Sequence, residues 1–139
     1  IGAGSMGTAF AYPCIDNNLE VNIIGTHLEY KSVNLLNKSR LHQDLNLKIN
    51  KNIKFFHHEN IKDVFKKRPD LVVIGVSSKG IDWIADELKK ISLNGKLPNL
   101  LMLTKGLSIH DDKSETARKI FGCASNSARG SRLTRVQNY

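Results

Sequence analysis

The stretch that decides the fold is IGAGSMGTAF, residues Ile1–Phe10. Its glycines at positions 2, 4 and 7 follow the spacing G-x-G-x-x-G. In a turn between a strand and a helix, Gly2 permits the tight bend, Gly4 lets the backbone approach a pyrophosphate, and Gly7 lets the helix pack closely on the sheet. The pyrophosphate then lies at the helix N-terminus, where unpaired N–H groups and the helix dipole favour an anion. The pattern predicts a dinucleotide-binding turn; the alternative is a tight glycine-rich turn without a ligand.

Short apolar runs alternate with amphipathic stretches along the rest of the chain. The run DLVVIGV has the length and composition of a strand that is buried on both faces of a sheet. Alternation of this kind predicts an α/β fold: a Rossmann-like parallel sheet with helices on both faces. Only Ile1 precedes the glycine turn, so we expect the first strand to be truncated. The predicted strands are Val21–Gly25, Ile53–His57, Asp70–Val76 and Asn99–Thr104, and the predicted helices are Ser5–Asn17, Tyr30–Asn37 and Asn60–Lys67.

A fourth helix is predicted by apolar residues that recur at helical spacing and mark its buried side. Ser78 is a candidate cap for this helix, and Asp82 falls in its first turn. In the first helix, Pro13 predicts a kink or an early end. The polar segment Ser39–Asn52 is predicted to be a loop. The recurring residues of the fourth helix are Ile81, Ile84, Leu88 and Ile91.

The chain divides into two parts by composition. Its 139 residues are enough for one domain with its own core. We predict a partial dinucleotide-binding domain over residues 1–121. Residues 122–139, GCASNSARGSRLTRVQNY, contain few large apolar side chains and show no clear period, so we predict an irregular or disordered tail.

Charge and cysteine content limit the partners. The net charge of +8 is dispersed along the chain and includes three tail arginines, so we expect phosphorylated small molecules rather than nucleic acid. No apolar run approaches the ~20 residues that cross a bilayer, and no signal peptide is recognisable, so we expect no membrane partner. Cys14 and Cys123 have no metal-type spacing, which predicts no metal site and a reduced, cytoplasmic setting.

The residues after the predicted strand Val21–Gly25 bear on the choice of cofactor. Thr26 and His27 follow NIIG, where an acidic residue usually accepts a hydrogen bond from the adenosine ribose. Without that carboxylate a 2′-phosphate meets less repulsion, which favours NADP slightly over NAD. The preference is modest, because Glu29 could turn back towards the site and no arginine is nearby to bind a phosphate.

Four segments together resemble a known family. GAGSMGTAFA, the strand ending IIG, LVVIGVSS and LMLTKGL occur in this order between Ile1 and about Ser108. They resemble the N-terminal domain of bacterial NAD(P)-dependent glycerol-3-phosphate dehydrogenase, and the TKGL segment is the more specific match. Ketopantoate reductase and other two-domain dehydrogenases share the glycine turn but are less similar at TKGL.

The resemblance implies roles for particular residues beside the three glycines. Ser5 and Met6 match positions that meet the cofactor phosphates. Thr26 matches a position that touches the adenosine ribose or its phosphate. Ser77 matches a position that lies beside the bound cofactor in the family, although helix capping would also explain a serine there. Lys105 matches the lysine that contacts both cofactor and substrate.

The resemblance also implies a reaction. A full-length member reduces dihydroxyacetone phosphate to sn-glycerol 3-phosphate with a hydride from NAD(P)H, and the product feeds phospholipid synthesis. Such a protein could also form a homodimer. The chain lacks the family's Gly-Pro-Ser or Gly-Pro-Thr segment and the helical C-terminal domain that carries the catalytic lysine. We therefore expect a fragment that binds cofactor and is inactive alone. The alternatives are a non-catalytic nucleotide-binding remnant, another two-domain dehydrogenase such as a ketopantoate reductase-like enzyme and, least favoured, a basic nucleic-acid-binding domain.

Overall fold

The computed structural model describes residues 1–92 and 97–104. Within them the predicted alternation of strands and helices is present, and each predicted strand is found, shortened by one to three residues at its ends. Two single turns of 3-10 helix, His58–Asn60 and Ser78–Gly80, precede the third and fourth α-helices. The remaining elements are α1 Ser5–Asp16, β1 Val21–Ile24, α2 Tyr30–Ser39, β2 Leu41–His42, β3 Leu47–Lys48, β4 Ile53–Phe56, α3 Ile61–Phe65, β5 Leu71–Ile74, α4 Ile81–Ser92 and β6 Asn99–Met102.

Two parallel strand pairs form the centre of the fold. β1 pairs with β4 so that Val21 lies opposite Ile53. β5 pairs with β6 so that Leu71 lies opposite Asn99. Parallel neighbours need crossover connections, and α2 and α4 lie in those connections. The observed fold is therefore the predicted α/β class.

Ile1 and Gly2 join the two strand pairs. The Gly2 N–H donates to the carbonyl of Ile24 at 2.8 Å, and the Gly75 N–H donates to the carbonyl of Ile1 at 2.8 Å. The Ile1 nitrogen also donates to the carbonyl of Val73 at 2.6 Å. Away from these contacts β1 and β5 are separated by a groove of about 360 Å³. Ile1 and Gly2 thus bridge the ends of β1 and β5 through their backbone hydrogen bonds.

Helices cover both faces of the sheet. Side chains alternate between the two faces of a strand, so adjacent residues of β1 enter different cores: Ile23 packs on the α2 side and Ile24 on the α4 side. Each fully buried Ile or Leu side chain stabilises the fold by about 1.5–3 kcal/mol. The first core includes Ala11, Val33, Leu36, Ile53 and Phe55, and the second includes Ile61, Val72, Ile74, Ile84 and Leu88.

The predicted apolar side of the fourth helix is confirmed. Ile81, Ile84 and Leu88 are buried, and Ile91 packs partly buried against the same core. Asp82 lies in the first turn of α4, as expected. The prediction for Ser78 is wrong: this residue begins the 3-10 turn that precedes α4, because the chain makes one tighter turn before the α-helix starts.

The segment Ser39–Asn52 is not the loop that the sequence predicted. It contains the antiparallel pair β2–β3, in which His42 lies opposite Leu47. Arg40 starts the segment with φ 59°, in the left-handed region, and its Nη2 donates to the carbonyls of Asn50 and Ile53. Two-residue strands form only when tertiary contacts hold them, so the polar sequence gave little indication of them.

Pro13 does not break α1. The helix continues to Asp16 and ends at Asn17, whose side-chain amide donates to the carbonyl of Pro13 at 2.8 Å. The proline lies close enough to the helix end that only the last turn follows it. Among residues 1–92 and 97–104, no helix has the length and apolar character that a bilayer span requires.

Candidate functional site

The glycine turn lies at the carboxyl edge of the sheet and is closely packed. Gly2 has φ +105°, a backbone conformation that residues other than glycine rarely adopt. The carbonyl of Gly2 lies against Gly7, so closely that a Cβ built on Gly7 would fall under 3.0 Å from it. Gly75, at the end of β5, packs on the same residue: a Cβ there would lie 3.1 Å from the Gly7 Cα. Gly7 therefore fixes how α1 meets the sheet.

The start of α1 is open. Gly4 is the N-cap residue, and no side chain caps the helix. The first intrahelical bond runs from the Thr8 N–H to the Gly4 carbonyl at 3.0 Å, so the earlier N–H groups have no acceptor within the helix. Ser5 is half-buried and Met6 is 48% exposed. A Cβ on Gly4 would meet only Glu29 Oε1, at 3.6 Å. This surface can accept an anion from outside.

Glu29 links the glycine turn to the end of β1. Its Oε2 accepts hydrogen bonds from the Thr26 N–H at 2.7 Å and from the Ala3 N–H at 3.1 Å. Thr26 is thereby held beside the glycine turn. The carboxylate does turn back, as the sequence left open, but it binds two backbone N–H groups.

His42 is a site residue that the sequence did not indicate. It is 4% exposed, and its Nε2 lies 3.2 Å from the Ala3 carbonyl. A small pocket of about 110 Å³ beside Gly4 is lined by His42, Glu29 and Ser32 among others. No signal in the sequence marks this residue, because His42 stands between Leu41 and Gln43 in the polar segment Ser39–Asn52, where a histidine fits a solvated loop equally well.

The ends of β5 and β6 form the other side of the site. Ser77 follows β5 and is exposed, and its carbonyl accepts a hydrogen bond from the Gly80 N–H at 2.8 Å. The Thr104 hydroxyl donates to the Val76 carbonyl at 2.8 Å, which places Thr104 beside the residue that precedes Ser77. Lys105 lies outside the described residues, as does the tail 122–139.

Aromatic side chains gather at the same edge beyond β1 and β4. The ring centroids of His27 and Trp83 are 5.1 Å apart, and those of Tyr30 and His57 are stacked at 4.2 Å. His58 lies 6.3 Å from Trp83. Within the described ranges, no group of three or more His, Cys, Asp or Glu side chains could hold a metal ion.

An open helix N-terminus behind a G-x-G-x-x-G turn, at the carboxyl edge of a parallel sheet, defines a Rossmann-like dinucleotide-binding domain. A family model described as "NAD-dependent glycerol-3-phosphate dehydrogenase N-terminus" matches residues 1–129. The chain belongs to this family, and its nicotinamide-cofactor class follows from that membership.

A similar protein is the NADP(+)-dependent glycerol-3-phosphate dehydrogenase of Archaeoglobus fulgidus, which is 29% identical over 112 residues. The match covers 81% of this chain and 32% of the relative. The chain thus spans about a third of the length of that dehydrogenase.

Proposed function

We propose that this chain is the cofactor-binding part of an oxidoreductase that interconverts dihydroxyacetone phosphate and sn-glycerol 3-phosphate with NAD(P)H. The observation that carries the proposal is the open N-terminus of α1, where Gly4 leaves the first N–H groups accessible. Backbone N–H groups at such a terminus bind phosphates without any basic side chain. The family match and the similar dehydrogenase supply the reaction class.

The cofactor would extend along the carboxyl edge of the sheet. Its pyrophosphate would lie on Gly4, Ser5 and Met6, and its adenosine ribose would lie near Thr26. Ser77 and Lys105 would face the nicotinamide half, and Lys105 would also contact the substrate phosphate or the reacting oxygen. The bound nicotinamide supplies the hydride, and the protein supplies orientation and charge.

We favour NADP over NAD. Thr26 stands where a ribose-binding acid is usual, and the Glu29 carboxylate is occupied by the N–H groups of Ala3 and Thr26. Both hydrogen bonds are accepted by Oε2, and Oε1 lies on the Gly4 side of the turn, so the preference for NADP rests on Thr26 and on the similar dehydrogenase. The Archaeoglobus fulgidus relative is named as NADP(+)-dependent.

The position of the family's catalytic lysine bears on whether this chain turns over substrate. By the resemblance, that lysine belongs to a part of the family that this sequence does not contain. We propose that the 139-residue chain binds cofactor without turnover, in a reduced cytoplasmic setting. A nucleotide-binding remnant without an enzymatic parent is the second class of function, and it predicts the same binding.

Titration with NADPH and NADH tests the proposal. Trp83 is the one tryptophan in the sequence and lies near His27 at the proposed adenosine end, so its fluorescence should report binding. We expect saturable binding of NADPH, weaker binding of NADH, and no steady oxidation of NADPH with dihydroxyacetone phosphate. Absence of binding to both nucleotides would refute the cofactor role, and steady turnover by this chain would refute the limitation to binding.

A further inference from the structure

The Ala3 peptide groups are held by side chains from two distant segments. The Ala3 N–H donates to Glu29 Oε2 at 3.1 Å. The Ala3 carbonyl lies 3.2 Å from His42 Nε2, and the Thr8 hydroxyl donates to the same oxygen at 3.5 Å. Ala3 is the middle residue of G-x-G, so both peptide groups between Gly2 and Gly4 are fixed from outside the turn.

The hydrogen bonds of His42 define its tautomer. The Leu45 N–H donates to Nδ1 at 3.4 Å, so Nδ1 carries the lone pair. The neutral ring then carries its proton on Nε2, which donates to the Ala3 carbonyl. His42 is thus one acceptor and one donor, and both are used.

Both side chains are anchored to rigid backbone. The Glu29 N–H donates to the Thr26 carbonyl at 3.0 Å, and the Glu29 carbonyl accepts from the Val33 N–H at 2.9 Å at the start of α2. His42 lies in the β2–β3 pair, and the Tyr12 hydroxyl ties that pair to α1 by donating to the Lys48 carbonyl at 3.2 Å. The backbone from which each side chain extends is therefore fixed within its element.

We propose that Glu29 and His42 are positioning residues, which hold the Ala3 peptide groups so that the first N–H groups of α1 face the dinucleotide pyrophosphate. The inference rests on the proposed function for its ligand. A backbone anion site works only while its N–H groups converge, and rotation of the peptides of Ala3 would turn the preceding and following groups away.

The test pairs disruptive and conservative variants of the whole chain. Glu29→Ala and His42→Leu remove the hydrogen bonds to Ala3. Glu29→Gln keeps a carbonyl oxygen for the two N–H groups, and His42→Gln keeps one donor and one acceptor. Asp63→Ala is the matched control, because Asp63 is an exposed acid on α3 that pairs with Lys66 away from the turn.

Two measurements are made on every variant: the Kd for NADPH and hydrogen exchange at the Ala3 and Thr26 amides without nucleotide. We expect Glu29→Ala and His42→Leu to raise the Kd by about tenfold or more, because the Ala3 peptide groups then lose the partners that fix their orientation; tenfold corresponds to about 1.4 kcal/mol of binding free energy. We expect Glu29→Gln, His42→Gln and Asp63→Ala to stay within about threefold of the parent. Of the three variants Glu29→Ala, Glu29→Gln and Asp63→Ala, only Glu29→Ala should speed hydrogen exchange at the Ala3 amide.

Rescue separates positioning from a general loss of stability. A role in folding alone would lower Tm and leave the Kd of the folded fraction unchanged, and that outcome overturns the proposal. Parent-like affinity in both disruptive variants also overturns it. If the parent binds neither NADPH nor NADH, the proposed function fails. Unchanged hydrogen exchange at the Ala3 amide in Glu29→Ala would separately refute the proposal that Glu29 positions the turn.

Discussion

The carbonyl oxygen of Gly2 lies directly against Gly7, and no side chain fits between them. The contact spans five residues of sequence and sets the angle at which α1 leaves the sheet. Gly4, between the two, faces open space except for Glu29 Oε1. The glycines of this motif thus have different roles, and replacing each of them by alanine tests its role separately.

Gly7→Ala should destabilise the fold. The new Cβ would overlap the Gly2 carbonyl, which is backbone and cannot turn aside as a flexible side chain could. Overpacking of this kind costs about 1–3 kcal/mol or more. Urea denaturation should show a lower midpoint with an unchanged slope. A variant as stable as the parent would contradict the close packing of α1 on the turn.

Gly4→Ala should leave stability within about 1 kcal/mol of the parent, because its backbone has φ −77° and a Cβ meets no atom closer than 3.6 Å. The methyl would project where the pyrophosphate approaches the helix. We therefore expect the Kd for NADPH to rise by about tenfold or more while Tm hardly changes. Equal NADPH affinity in Gly4→Ala and the parent would place the phosphates elsewhere.

Arg40 should matter for stability through both its side chain and its backbone. Its Nη2 donates to the carbonyls of Asn50 and Ile53, and its guanidinium lies 5.5 Å from the centroid of Phe55. Arg40→Ala should cost about 2 kcal/mol from the lost hydrogen bonds. Arg40→Gly should cost less, because glycine adopts φ 59° freely.

The order parent, Arg40→Gly, Arg40→Ala is checked by equilibrium denaturation of the three proteins. If Arg40→Gly is the least stable, the left-handed backbone contributes nothing to the difference. Lys38→Ala serves as the control, since this basic residue is exposed in the last turn of α2.

Lys105→Met tests the predicted substrate contact in a longer protein that contains this domain and reduces dihydroxyacetone phosphate. The variant keeps an apolar stem of similar length and removes the cation. We expect kcat/KM to fall by about 100-fold, or roughly 3 kcal/mol, as when a charge-stabilising donor is deleted. Near-normal kcat/KM in a folded variant would exclude a role for Lys105 in the reaction.

The strands and long helices were predictable because their signals are local. The apolar run DLVVIGV forms β5 over Leu71–Ile74, and the helical spacing from Ile81 to Ile91 marks the buried side of α4. Element ends were less predictable: α2 extends to Ser39, two residues beyond the prediction, and a 3-10 turn stands where Ser78 was expected to cap α4. Terminal turns depend on neighbouring contacts that a periodic pattern does not contain.

The sequence by itself determined the glycine turn, the order of strands and helices, and Gly4, Ser5 and Met6 at the start of α1, because residues close in sequence specify each of these. Only the tertiary structure decided how the turn is held. Glu29 reaches Ala3 across 26 residues and His42 reaches it across 39. A carboxylate before a helix and a histidine in a polar segment carry no local sign of a partner. Their hydrogen bonds exist because the Gly2 N–H joins the turn to the end of β1, and because the Tyr12 hydroxyl holds the separate β2–β3 pair against α1 beside the turn.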